Sequence, residues 1–195
     1  KKVDSLFGEV LYILHRESLM ISLMTVDYAT EKDLKSAAYL FEQLEDSEHM
    51  YSLALYTIQN PEDSKFMCIV SKIKDHIIGI CLLSKEANID YYDSHFRIRH
   101  YINLDKISKY YHSRIVFFLT HRNFAQYTKI FLKEILRLVN KVCLYYEISP
   151  NTEATPKFFK DFILARNRKF PHFVMKNWEY QKELYEDEKI ENFLE

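Results

Sequence analysis

Between Arg114 and Ile148 apolar and polar positions come in blocks. Ile115-Val116-Phe117-Phe118-Leu119 is a β-branched and aromatic run, Thr120-His121-Arg122-Asn123 is a polar elbow, and Val142-Cys143-Leu144-Tyr145-Tyr146 is a second apolar run. Between the elbow and that second run, apolar residues return at Phe124, Tyr127, Phe131, Ile135 and Leu138. Steps of three and four gather those positions on one face of a helix, whereas short β-branched runs fit buried strands. The pattern therefore predicts strand, helix over 124–139, strand. Asn123 with Gln126 three residues on has the spacing of a capping box, which places the helix start at the elbow.

Upstream, residues 22–28 alternate enough for a strand. Thr30 as cap, with Asp33 three residues later and Glu31 in the first turn, opens a helix whose buried face is Leu34, Ala37 or Ala38, Phe41 and Leu44. A second helix over 47–58 carries Met50, Leu53, Ala54 and Ile58 and stops at Asn60-Pro61. Residues 66–70 and 77–83 read as strands of a hairpin joined by a polar turn over 72–76. Gly79 inside the second strand implies a bulge or a close backbone neighbour. Residues 88–111 mix aromatics, histidines and charges without a period and read as an irregular or short-helical insertion.

At the N-terminus, residues 1–18 hold a short apolar pattern (Leu6, Val10, Leu11, Ile13, Leu14), and the opening without Met in mid-pattern leads us to expect a piece of a longer protein. Downstream of 148, the expectations are a loop over 149–156, a short amphipathic helix over 157–163, a basic stretch over 165–169 and a strand over 170–174. An acidic helix over 178–194 closes the pattern, with a modest stripe of Trp178, Leu184 or Tyr185, Ile190, and Phe193 or Leu194 that is expected to dock on the domain or on a partner.

Composition narrows this picture at three points. A net charge of −1 gives no field to attract nucleic acid or an anionic membrane, so neither is expected as a partner. No apolar run approaches the roughly 20 residues of a membrane span, no signal peptide is visible, and 195 residues suit one domain with an appendage. Gly8 and Gly79 are the only glycines, where average usage of about 7% would give roughly 14. That scarcity excludes the glycine-rich loops of dinucleotide and nucleotide sites, which need residues without a Cβ. Cys68, Cys81 and Cys143 are widely spaced, each in an apolar run, and read as buried free thiols of a cytoplasmic protein.

A strand entering a helix N-terminus is a natural anion site, because free N–H groups and the helix dipole favour negative charge there. At this elbow Phe124 and Tyr127 stand where small residues would admit a diphosphate, so none is expected to bind. General acid–base chemistry needs a positioned base and a positioned acid. The run over 115–119 offers no carboxylate, and of Tyr145 and Tyr146 one is expected to be a core ring and the other a surface ring. His95, His100, His112 and His121 match no helical i, i+4 metal pair, and surface or hydrogen-bonding roles are the ordinary reading. Lys129, Lys133 and Arg137 form a stripe on one helix face that could meet an acidic partner but reads first as a solvated face. Residues 157–169, basic and aromatic, could occupy a calmodulin-type groove, against the plainer reading of a terminal helix on its own sheet.

The element order, opening on Thr25-Val26-Asp27-Tyr28-Ala29-Thr30-Glu31-Lys32-Asp33-Leu34 and with Ile77-Ile78-Gly79 in its hairpin, resembles the acetyl-coenzyme A dependent N-acetyltransferase (GNAT) superfamily over roughly residues 20–150. In active members Arg/Gln-x-x-Gly-x-Gly/Ala precedes the helix after the fourth strand and cradles the pyrophosphate. Arg122-Asn123-Phe124-Ala125-Gln126-Tyr127 keeps the Arg but places Ala125 and Tyr127 at the glycine positions. A second resemblance, carried by Ser94-His95-Phe96-Arg97-Ile98, residues 124–138, Lys141-Val142-Cys143-Leu144-Tyr145-Tyr146 and Arg166-Asn167-Arg168, is to the middle portion of the cilia- and flagella-associated protein 61 family. That resemblance implies an axonemal component of the calmodulin- and spoke-associated complex at the base of radial spokes.

Together these readings predict an α/β fold, a GNAT-like mixed sheet flanked by helices, with a C-terminal helical extension. The expected division is an N-terminal segment over 1–19, a degenerate acetyltransferase-like domain over 20–150 and an extension over 151–195. The function the resemblances imply is a non-catalytic structural and interaction module of the axoneme supporting ciliary motility. No residue is assigned to catalysis, cofactor or metal, and the partners implied are other radial spoke and calmodulin- and spoke-associated complex proteins, with calmodulin a further one. The alternatives are an active acetyl-coenzyme A dependent enzyme with Arg122 on the phosphates, and a calmodulin-binding adaptor acting through 157–169.

Overall fold

The structure is a computed structural model and describes residues 23–148 and 162–168. The N-terminal apolar pattern, the loop over 149–156, most of the short helix over 157–163, the strand over 170–174 and the acidic helix over 178–194 lie outside the described residues. Strand β1 (Met24–Tyr28) leads to helices α1 (Glu31–Ser36), α2 (Ala38–Phe41) and α3 (Ser47–Gln59), then strands β2 (Phe66–Ile73) and β3 (His76–Ser84). Helix α4 (Ile89–His95) and two 3-10 turns, Ile98–His100 and Lys109–Tyr111, precede strand β4 (His112–Thr120), and helix α5 (Thr128–Leu138) joins it to strand β5 (Cys143–Tyr146). The five strands form one sheet in sequence order, β1-β2-β3-β4-β5. Because β1 pairs β2 antiparallel and β4 pairs β5 parallel, the sheet is mixed, and with its flanking helices the fold is α/β.

The chain divides into two compact units, Lys1–Leu83 with Val116–Val139, and Ser84–Ile115 with Asn140–Glu195. In the first, Thr30 caps α1 with the expected capping box: its side chain accepts from the Asp33 N–H while the Asp33 carboxylate accepts from the Thr30 N–H at 3.0 Å. The same carboxylate pairs with Lys72 at 2.8 Å. The single helix expected from Thr30 is two, because the chain leaves helical pairing at Ala37 and restarts at Ala38. Leu34, Ala37, Leu40 and Phe41 from this pair, with Ala54 of α3, pack on Cys68, Val70, Ile77, Ile80, Leu82, Phe117 and Leu119 of the sheet.

Alternation along β3 slips by one residue at its start. Ile77, Ile80 and Leu82 join that core, while Ile78 lines the cavity that Phe131 of α5 also lines and Gly79 lies against the Phe131 ring. A Cβ at Gly79 would lie 2.8 Å from the Phe131 ring and 3.2 Å from the Leu119 carbonyl oxygen. The glycine is thus required by the close neighbour its position implied. Strand β2 runs three residues beyond the expected end because Ser71, Lys72 and Ile73 pair with Val26, Thr25 and Met24, which shortens the turn to Lys74-Asp75.

In the second unit the insertion is short-helical, as its lack of period implied. Asn88 caps α4 by accepting from the Tyr91 N–H at 3.1 Å, and Ile89, Tyr92 and Ile98 form a small core with Phe96, Leu104, Tyr145 and Ala165 around it. Strand β5 is short, pairing from His112↔Cys143 to Ile115↔Tyr146.

Candidate functional site

The elbow is built differently from the expected helix start. Arg122–Tyr127 is a 3-10 turn and the α-helix begins only at Thr128. Its cap is His121, not Asn123: the His121 Nδ1 accepts from the Asn123 N–H at 3.2 Å, and the His121 carbonyl accepts from the Phe124 N–H at 2.8 Å. His121 is itself held by donating its N–H to the Ile78 carbonyl at 2.8 Å. Further along, the Thr128 N–H donates to the Ala125 carbonyl and the Thr128 hydroxyl donates to the same oxygen at 2.7 Å. A phosphate at a helix N-terminus is gripped by amides with no intrahelical partner. Here Asn123, Phe124 and Thr128 already have theirs.

The rings then close the space. His121 meets Tyr39 and Phe124 edge-on at 6.0 and 5.7 Å, Phe124 lies 6.2 Å from Tyr127, and Phe118 lies 5.1 Å from Phe131. Tyr39 is fixed by its hydroxyl, which donates to the Ile77 carbonyl at 2.7 Å. What remains between Met24, Ser71, Ile78, Thr120 and the rings of Phe124, Tyr127 and Phe131 is a cavity of about 10 Å³, room for about one water at most. Arg122 is exposed beside it.

The other sequence-level residues do not converge on this corner. Strand β4 carries no carboxylate along its nine residues. Tyr145 and Tyr146, expected as one core and one surface ring, are both half-buried, as befits an edge strand covered incompletely on each side. Tyr145 stacks on Tyr92 at 4.9 Å and on His112 at 5.7 Å, and its hydroxyl shares a 2.8 Å hydrogen bond with His112 Nδ1. Burial, then the neighbouring Cys143, raise its pKa, so it stays a phenol. Tyr92 donates to Glu147, which pairs with Arg114 at 3.5 Å.

His112 is the residue of the second unit that sequence reasoning undervalued. It is fully buried, and its Nε2 has no hydrogen-bond partner among the described residues. Burial lowers its pKa and the Lys141 charge adds to that, against the Ile107 backbone, which favours the charged form. Lys141 is buried too, donating to the Tyr110 carbonyl with its ammonium 4.1 Å from the Tyr110 ring centroid. His95 bonds to the Ser94 hydroxyl and the Tyr91 carbonyl, His100 ends a 3-10 turn, and His121 caps its own. No group of three or more His, Cys, Asp and Glu that could hold a metal gathers among the described residues. Lys129, Lys133 and Arg137 all face solvent, with Arg137 paired to Glu134 at 2.7 Å. Burial pushes the Cys68 thiol up to about 12, with Asp33 adding to it, and burial, then Cys68, raises the fully buried Cys81 thiol well above its ordinary value. Among the described residues no helix is long and apolar enough to cross a membrane.

One site had no sequence signal. The second unit holds an apolar groove of about 520 Å³ beside β5 and α4, walled by Tyr92, Phe96, Leu144, Tyr145, Ile163 and Leu164. Its far wall comes from residues 162–168, which run without helix: Asn167 bridges Phe96 antiparallel, the Arg97 N–H donates to the Arg166 carbonyl and the Arg168 N–H to the His95 carbonyl, each at 2.9 Å. The described end of the basic-aromatic segment over 157–169 is therefore an extended clamp and not part of a helix. No periodicity could show this, since the pairing joins residues some 70 positions apart.

No protein-family model matches the chain. Over 180 residues it is 32% identical to cilia- and flagella-associated protein 61 of Tetrahymena thermophila, a match that covers 92% of this chain and 10% of the relative. The chain thus spans about a tenth of that relative's length. Among solved structures it is similar to a ribosomal-protein-alanine N-acetyltransferase from Brucella melitensis biovar Abortus 2308, with a TM-score of 0.44, 8% identity, and coverage of 79% of this chain and 99% of that one. A possible acetyltransferase from Clostridium difficile 630 gives a TM-score of 0.43 at 12% identity, covering 67% and 83%. A GNAT family acetyltransferase of Staphylococcus aureus subsp. aureus gives 0.42 at 12% identity, covering 68% and 92%.

Proposed function

We propose that this chain is a non-catalytic structural and interaction module of a ciliary assembly, built on an acetyltransferase-like scaffold whose coenzyme corner has been filled. The observation that carries the reading is the corner itself. Three aromatic side chains leave about 10 Å³ there, and the amides that would grip a diphosphate are bonded to His121 and Ala125. A site that holds a ligand by its backbone needs open amides and a small-residue approach. Here the Asn123, Phe124 and Thr128 amides are already bonded, and Phe124 and Tyr127 are bulky. The ciliary part rests on the 32% identity to a cilia- and flagella-associated protein. On that reading the chain resides in the cytoplasm at the axoneme, and its partners are other radial spoke and calmodulin- and spoke-associated complex proteins, with calmodulin a further one.

The test is cross-linking and affinity purification of the tagged protein that carries this chain, from ciliated cells. Recovery in the detergent-resistant axonemal fraction, with cross-links from this chain to spoke proteins, is the expected result. Recovery in the soluble cell body, with acetyl transfer from acetyl-coenzyme A to an amine, would overturn the reading in favour of an enzyme that uses Arg122 as its phosphate contact.

A further inference from the structure

We propose that the seam where β5 joins β4 is an acid-operated latch: a proton taken up by His112 unpairs β5 locally while the rest of the sheet stays folded. The pairing it controls is slight. Four residues, from His112↔Cys143 to Ile115↔Tyr146, run parallel, and β5 is half-buried throughout, the kind of segment that opens below the free energy of global unfolding. His112 forms the first of those pairs, and its Nδ1 shares a 2.8 Å hydrogen bond with the Tyr145 hydroxyl, so the strand is tied by a side chain as well as by its backbone. These residues all lie in the second unit, and their packing is independent of the ciliary reading.

The surroundings of His112 have no provision for a second cation. The ring is fully buried, its Nε2 lacks a hydrogen-bond partner among the described residues, and it already feels the charge of Lys141. Lys141 is buried as well and committed to the Tyr110 carbonyl and ring. Strand β5 presents Tyr145 and Cys143, both held neutral by burial, and α4 adds Tyr92, stacked on Tyr145. The segment before β4 contributes the Ile107 backbone, which favours the charged ring. Glu86 acts on Lys141, and Glu147 is engaged by Tyr92 and Arg114. Among the described residues no carboxylate acts on His112 itself. A second cation near a buried ammonium is costly unless it is neutralised or solvated. Freeing β5 admits water to both. Because burial and then Lys141 oppose the charged ring in the closed seam, the open form takes up the proton first.

Hydrogen exchange of single amides, followed by NMR in the full chain from about pH 7.5 down to about pH 5, tests the latch across the range in which histidine titrates. Corrected for intrinsic rates, the opening constant of the Cys143–Tyr146 amides is expected to rise by up to about tenfold per pH unit below 6.5, the mark of a single proton. It should level off at the folded pKa of His112, read from the ring's own resonances. Amides of the β2–β3 hairpin, Val70 and Ile80 among them, should not follow. His112→Gln removes the titrating group and is expected to flatten the rise. Lys141→Met removes the neighbouring charge and is expected to shrink it several-fold, because the folded ring then accepts a proton more readily. That second variant keeps His112 and its bond to Tyr145, so it decides the matter if the first does not fold. Titration of His112 at or above 6.5 in the folded chain would overturn the proposal. So would a β5 opening constant that stays level over this range, hairpin amides that rise in step with β5, or a rise that Lys141→Met leaves unchanged.

Discussion

The corner where β4 turns into α5 and the groove beside β5 both draw on tyrosine and phenylalanine, with opposite results. At the corner the backbone winds into a 3-10 turn that His121 caps, and the turn brings Phe124 and Tyr127 over a space of about 10 Å³. At the groove the edge strand has no further strand beside it among the described residues, and Leu144, Tyr145 and the extended residues 162–165 wall a space of about 520 Å³. Aromatic content alone decides nothing. What decides is whether the local backbone aims rings at one another or leaves them along an open edge.

The comparison breaks first, and by the largest amount, at Phe131. Phe131→Ala empties the packed corner and is expected to cost about 3–5 kcal/mol in urea denaturation, because this ring is buried against Phe118, Gly79 and the cavity wall. Gly79→Ala approaches the same contact from the other side. The added methyl meets the ring at 2.8 Å, so a loss of about 1–3 kcal/mol is expected; a gain would mean that the helix stands further off. On the groove side, Tyr145→Phe leaves the buried Nδ1 of His112 without its hydroxyl, and a loss of about 1–3 kcal/mol is expected.

His112 also sets a pH dependence whose sign follows from burial. Its folded pKa lies below the ordinary 6.5, so on acidification the unfolded chain takes up the proton first. The stability it contributes is complete above about 6.5 and is lost as pH falls towards the depressed folded value. Midpoints of urea denaturation measured down this range should fall for the unaltered chain and fall less for His112→Gln. The smallest effect belongs to Ile163→Ala on the exposed lip, expected within about 0.5 kcal/mol of the unaltered chain. A large effect there would mean that the side chain is covered tightly enough to act as core.

Much of the first unit was legible because its signals are local. The Thr30 and Asp33 capping box, the helix over Ser47–Gln59 and the demand for a glycine at position 79 each depend on residues close in sequence or on one close neighbour. The start of α5 was misplaced because it is settled at long range: the Ile78 carbonyl fixes His121, and His121 then captures the amide that Asn123 would have kept for a helix. The filling of the corner was still readable, since Phe124 and Tyr127 remain bulky in either kind of turn. The split at Ala37 left no mark in the periodicity, nor did Leu40, which is fully buried. In the second unit the groove and the buried His112 depend on a bridge between Phe96 and Asn167 and on a pairing between His112 and Tyr145, contacts that no window of sequence contains.

Calorimetric titration of the chain with acetyl-coenzyme A tests the filled corner most directly. With the Asn123, Phe124 and Thr128 amides bonded and about 10 Å³ of space, the chain is expected to give no binding heat up to millimolar coenzyme. Saturable micromolar binding that Phe124→Trp abolishes would contradict the account, because it would put the diphosphate in the place those rings occupy.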